Sequence, residues 1–100
     1  MNEYYLKRNL ILTRAQDLIN NDRQEEYGPP NKNFKDISAG WSIIFDKEVQ
    51  PFEVALAMDW VKTCRALKSP ELEDSWIDKA GYSAIGGELV GELVGEYDDE

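Results

Sequence analysis

The 100-residue chain carries 20 acidic and 11 basic side chains, no histidine and one cysteine, for a formal net charge of −9. That length suits one domain, and a hydrophobic fraction of 42% is enough for a packed core rather than a disordered chain. Lone Cys64 excludes an intrachain disulfide and a zinc ribbon, the missing histidines exclude His triads and most zinc or haem sites, and no apolar run reaches the roughly 18 residues of a membrane span.

The first predicted element is an amphipathic helix from about Asn2 to Asn21, with Tyr4, Leu10, Ile11, Ala15, Leu18 and Ile19 mostly at three- and four-residue spacings. A loop follows through Tyr27, Gly28, Pro29, Pro30 and Asn31, because Gly-Pro-Pro cannot continue a helix. The second helix is predicted over Lys32 to Phe45, where Phe34, Ile37, Trp41, Ile44 and Phe45 form one apolar stripe. Asp46 to Gln50 read as a turn, with Pro51 suited to the first position of a third helix running to about Leu67 and largely buried. Ser69 reads as the N-cap of a fourth helix, with Pro70 in its first turn and Glu71, Glu73 and Asp74 placed well against the helix dipole. That helix is expected to continue to about Val94, and residues 96–100 read as an acidic tail. No period-two run is flanked by hairpin chemistry, so the fold class is all-α: one domain over residues 1–95, four helices and one long ordered loop.

Five of the seven glycines (81, 86, 87, 91 and 95) lie in or beside the fourth helix, and Gly81 with Ala80 and Ala84 would admit a close neighbour. Glu88-Leu89-Val90-Gly91 is repeated as Glu92-Leu93-Val94-Gly95. The repeat offers an apolar strip either to the chain's own core or to a partner helix in a symmetric oligomer.

Charge is unevenly placed. Residues 1–70 hold ten acids and ten bases, whereas residues 71–100 hold ten acids against Lys79 alone. Such a pole repels phosphate backbones and gives no support for nucleic-acid binding, but it could attract a basic partner or a hard cation such as Mg²⁺.

Two groups of residues carry candidate chemistry. Asp74 and Asp78 are four apart on one helix face, with Glu71 a turn before and Tyr82 a turn after. A short connection at Ser69 and Pro70 makes the third and fourth helices antiparallel, which brings Lys62 and Arg65 towards these carboxylates. The group is either a structural ion-pair cluster or a site in which carboxylates hold Mg²⁺ and the cations hold phosphate. Around the Gly-Pro-Pro break stand Arg23, Tyr27, Asn31 and Asn33. They could grip a nucleotide (guanidinium on phosphate, phenol on a base face, amides on base edges), or Asn31 could cap the second helix while the others pin the loop. Trp41, Trp60 and Trp76 are read as core, and Cys64, on an apolar face, as inert.

Arg23, Tyr27-Gly28 with Pro30, Asn33-Phe34, then Trp41, Lys62 with Arg65, and finally Asp74, Trp76, Asp78 and Ala80-Gly81-Tyr82 together resemble a small domain family common in phages and prophages, often without an assigned function. The likeness covers about residues 8–90, and DxWxDxAGY is its most specific part. That family in turn is similar to the MazG-like all-α nucleotide pyrophosphohydrolases, which use Mg²⁺ to split nucleoside triphosphates into monophosphate and pyrophosphate. The resemblance implies a four-helix, dimeric or larger assembly in the host cytoplasm that binds a nucleotide or nucleotide-derived small molecule. Asp74 and Asp78 would hold Mg²⁺ with help from Glu71 or Glu53, Lys62 and Arg65 would neutralise phosphate, and Arg23, Tyr27, Asn31, Asn33 and Tyr82 would shape the ligand end. The family's first metal motif, EExxE, has no counterpart, since the third helix offers only Glu53 and Asp59. Alternatives are a non-catalytic phage protein that sequesters a nucleotide signal, and one that docks a host protein through its acidic fourth helix.

Overall fold

The computed structural model describes residues 6–22 and 28–95, all of whose regular structure is helical. Helix α1 spans Arg8–Asp17 and opens into a wider π-helical turn over Leu18–Asp22. Helix α2 spans Pro30–Phe45, α3 Pro51–Lys68 and α4 Glu73–Val94. The expected helix from Asn2 thus begins later within the described residues; Tyr4, Arg23, Tyr27 and the tail 96–100 lie outside them.

The helix boundaries have local causes. Gly28 takes a left-handed φ of 83°, Pro29 is extended, and Pro30 occupies the first helical position, where its fixed φ fits and its missing N–H is not needed. This moves the start of α2 two residues ahead of the expected Lys32. Asp46, left-handed at φ 54°, ends α2. The Ser42 hydroxyl then accepts the Val49 N–H at 2.9 Å, which ties the connecting loop back onto α2. Pro51 opens α3 as expected, and Glu53 turns back to accept the Gln50 N–H at 2.9 Å, satisfying an amide the helix leaves over.

The start of α4 differs from expectation. Ser69 is not its N-cap and Pro70 is not in its first turn. Instead the Leu72 N–H reaches the Ser69 carbonyl at 3.2 Å, closing a turn, and the Trp76 indole N–H donates to the Pro70 carbonyl at 2.9 Å. Leu72 then precedes a helix that begins at Glu73. Glu73 and Asp74 still stand in the first turn, where negative charge is favoured.

Among the described residues the core consists of Phe34, Val54, Ala55, Tyr82, Ile85 and Leu89, flanked by Ile19, Ile37, Trp41, Val49, Phe52 and Met58. Val54 and Ile85 are fully enclosed, and burial of such a side chain stabilises by about 1.5–3 kcal/mol. Helices α3 and α4 run antiparallel, and α1 lies along α4 with residue numbers rising together, Arg14 pairing with Glu73 while Ile19 meets Gly81. The close approach expected at Gly81 is therefore filled by a side chain: an added Cβ would stand 3.1 Å from Ile19 Cγ2. At Gly86 the neighbour is the Ala55 Cβ, at 3.2 Å.

Several residues expected inside are outside. Trp60 is 66% exposed and Trp76 38%, leaving Trp41 as the tryptophan packed on the core. Helix α3 is not largely buried, since Leu56, Trp60, Val61, Cys64 and Leu67 all face outward. Ile44 and Phe45 continue the row of Phe34, Ile37 and Trp41 but are also exposed. Of the repeated strip, Leu89 enters the core while Val90, Leu93 and Val94 remain exposed. The cause is common to all of them: periodicity reports an apolar face, and four helices of one chain cover only part of the apolar surface they carry. Among the described residues no helix is long and apolar enough to cross a membrane.

Candidate functional site

The antiparallel α3–α4 pair brings Lys62 and Asp78 together, as the spacing predicted. Their charged groups stand 3.0 Å apart, with side chains 20% and 21% exposed. From the next residue of α4, the Lys79 ammonium bonds the Asp59 carboxylate at 2.9 Å and the Thr63 hydroxyl at 2.6 Å. These two pairs stitch the helices along their contact. Arg65 and Asp74 are exposed, and neither has an ion-pair partner among the described residues. At the base of α4 it is Glu73, not Asp74, that takes a cation, Arg14 of α1.

The other expected metal ligands are dispersed. Glu71 is exposed in the connecting turn. Glu53 is held by the Gln50 N–H at the start of α3, nine residues before Lys62 and therefore about 14 Å away along the helix axis. No three Asp, Glu, Cys or His side chains converge as a metal site among the described residues. Of the expected carboxylates, Asp78 is paired with Lys62 and Glu53 accepts the Gln50 N–H.

Tyr82 is buried, its ring against Phe34 at a centroid separation of 6.2 Å, and so serves the core. Asn31 is not the cap of α2 but lies inside its first turn. Its amide donates to Glu92 at 2.9 Å, across 61 residues of sequence, and its carbonyl oxygen accepts the Lys32 N–H. Lys35 also approaches Glu92, at 3.3 Å. The Asn31 hydrogen bond first, and the nearby Lys35 charge second, hold the Glu92 carboxyl below its ordinary range despite the opposing effect of partial burial. This cluster ties the start of α2 to the end of α4. Sequence reading did not find it, since Asn31 and Glu92 lie on elements with no predictable crossing. Asn33 is half-buried in the same first turn of α2.

Beside Asn31 a cleft of about 200 Å³ opens between the π-turn at Ile19 and Asn20, the Pro29-Pro30 corner and α4. Ile19, Pro29, Pro30, Ala84 and Ile85 give it apolar walls, and Asn20, Asn31 and Glu88 give it polar edges. Ligand pockets for whole drug-sized molecules run to roughly 300–1,000 Å³, so this cleft suits a planar ring fragment. Asn20 supplies an amide with both donor and acceptor, and Glu88 a carboxylate acceptor.

Comparison with known proteins agrees with the phage-type resemblance. Residues 10–90 match the family model DUF6378, described as a domain of unknown function. The Gene 55 protein of Mycobacterium phage D29 is 40% identical over 84 residues, covering 84% of this chain and 56% of that protein. The Gene 55 protein of Mycobacterium phage L5 is 32% identical over 76 residues, covering 75% of this chain and 49% of that protein. The chain thus spans about half the length of these curated relatives. No solved structure matches it.

Proposed function

The chain belongs to the DUF6378 family, and on that premise we propose that it is a phage-type helical domain that binds a nucleotide-derived ligand without turning it over. The observation that carries this reading is the cleft at Pro29–Asn31, whose apolar walls and amide and carboxylate edges match the faces and edges of a nucleobase. In sequence Arg23 follows Asn20 by three residues and Tyr27 precedes Pro29 by two; in this reading they take phosphate and a base face respectively. Retention without turnover is favoured because Asp78 is neutralised by Lys62 and Glu53 caps α3, which leaves the described carboxylates without a joint task at a metal.

The test is titration calorimetry with a panel of nucleoside and deoxynucleoside mono- and triphosphates, with and without Mg²⁺, followed by chromatography of the recovered ligand. Saturable binding that is lost in Asn20→Ala and Arg23→Ala, with the ligand recovered intact, supports the reading. Monophosphate and pyrophosphate appearing only with Mg²⁺, and not in Asp78→Asn, would replace it with the hydrolase. Absence of binding by every compound would remove the cleft as a nucleotide site.

A further inference from the structure

We propose that the outer face of the α3–α4 hairpin pairs with a second copy of this chain in an isologous, antiparallel four-helix contact. The inference rests on spacing, exposure and shape along that face, and it does not depend on the proposed ligand cleft.

On α4, Trp76, Ala80, Ser83, Gly87, Val90 and Val94 follow an unbroken alternation of four- and three-residue steps. That is the seam spacing of packed helices, and every charged residue of α4 lies off it. On α3, Leu56, Trp60, Thr63 and Leu67 repeat the same steps, also without charge. The two stripes are neighbours on one surface, since Lys79 bridges between them to Asp59 and Thr63, and Leu56 shares a shallow groove with Ser83, Gly87 and Val90.

This surface is open in the single chain. Its six large apolar side chains (Leu56, Trp60, Leu67, Trp76, Val90 and Val94) are between 38% and 79% exposed. Two tryptophans and four aliphatic residues at such exposures present on the order of 600 Å² of apolar area. With the polar rim added, that reaches the scale of about 800 Å² per partner that stable interfaces bury.

The stripe is complementary to itself. An antiparallel pairing of two α4 helices about a two-fold axis at residue 85 sets Trp76 opposite Val94 of the partner subunit, Ala80 opposite Val90 of the partner subunit and Ser83 opposite Gly87 of the partner subunit. Each position thereby meets one of the other step class, as an antiparallel seam requires, with small residues at the centre where the helices approach closest. Charge also permits it. Lys79 and Asp59 form the one ion pair described on this face and cancel, so two strongly acidic chains can meet here without setting like charges together. A basic host surface would find no net charge to recognise on it.

Sedimentation equilibrium of the full chain over a dilution series tests the proposal. The native protein should populate a species of twice the 11.5 kDa chain mass. Gly87→Glu should abolish it, because an added Cβ at Gly87 meets nothing within 4 Å in the single chain and the variant disturbs only a contact made by a second copy. Gly40→Glu, equally unobstructed but on α2, should leave the dimer intact. If circular dichroism shows Gly87→Glu to be unfolded, Val94→Glu in the last turn of α4 takes its place. A native chain that is monomeric throughout, or a dimer that survives both α4 variants, would overturn the proposal.

Discussion

Gly86 offers a direct test of how closely α3 and α4 approach. Replacing a mid-helix glycine with alanine stabilises by about 0.5–1 kcal/mol when the added methyl has room, because the unfolded chain loses freedom and the helix gains propensity. Gly40, in the middle of α2, has nothing within 4 Å of a new Cβ and should show that full gain. At Gly86 the same methyl would stand 3.2 Å from the Ala55 Cβ. Ala55 is almost fully buried, and its methyl has no torsion to turn aside, so relief requires α3 itself to move. Overpacking of this kind typically destabilises by about 1–3 kcal/mol, which at mid-range outweighs the propensity gain and leaves Gly86→Ala lower by roughly 1 kcal/mol. For a domain of this size 1 kcal/mol corresponds to about 4–8 °C. Thermal unfolding followed by circular dichroism should therefore place Gly40→Ala some 2–8 °C above the native chain and Gly86→Ala clearly below it. Equal rises in both variants would refute the close approach of α3 and α4 at this point.

Three further outcomes are expected. A double-mutant cycle on Lys62→Met and Asp78→Asn, read by urea unfolding, should return a coupling of about 1 kcal/mol or more, since both side chains are mostly shielded; a coupling indistinguishable from zero would make the pair incidental. The Glu92 carboxyl is held below its ordinary value of 4.5 in the folded chain, so the folded state takes up protons less readily there than the unfolded chain. Its contribution is complete above that value and lost as the pH falls through the lowered one, and Glu92→Gln should flatten the acid limb of the stability profile; an unchanged limb would refute the Asn31 and Lys35 contacts. Cys64 is exposed, so a thiol-specific chromogenic reagent should modify one thiol per chain in the native state without a preceding unfolding step, against the inertness its apolar neighbours suggested.

Much of the fold is legible in the amino-acid order, and the places where it is not have identifiable causes. Apolar spacing and Pro51 locate the helices, and the short connection after α3 predicts the meeting of Lys62 with Asp78. Ser69-Pro70 misleads because a serine, a proline and a run of acids form the same local pattern whether they start a helix or precede it. A side chain six residues on decides the matter: the indole of Trp76 claims the Pro70 carbonyl, and the helix begins at Glu73. Glu53 looks like a spare ligand until the unpaired amide of Gln50 is counted. Trp60 and Trp76 satisfy every rule for a core residue, and periodicity is silent on whether an apolar face meets its own chain. The cluster of Asn31, Lys35 and Glu92 was beyond reach because it depends on where α2 crosses α4, which no local pattern encodes.

The connection between α3 and α4 also bears on the order in which the molecule assembles. The two helices are joined through one turn at Ser69–Leu72 and share the ion pairs Lys62–Asp78 and Lys79–Asp59, only 16 and 20 residues apart, so the chain can close them early at little entropic expense. Helix α1 must instead find α4 across most of the chain, as the 59 residues between Arg14 and Glu73 measure. Its inward anchors are few: Ala15 is its one buried residue, and Ile19 rests on Gly81. The hairpin is therefore expected to form first, with α1 docking after it and opening before it. In native-state hydrogen exchange, the amides of α1 should open at a lower free energy than those of the hairpin, through a partial unfolding that leaves α3 and α4 together.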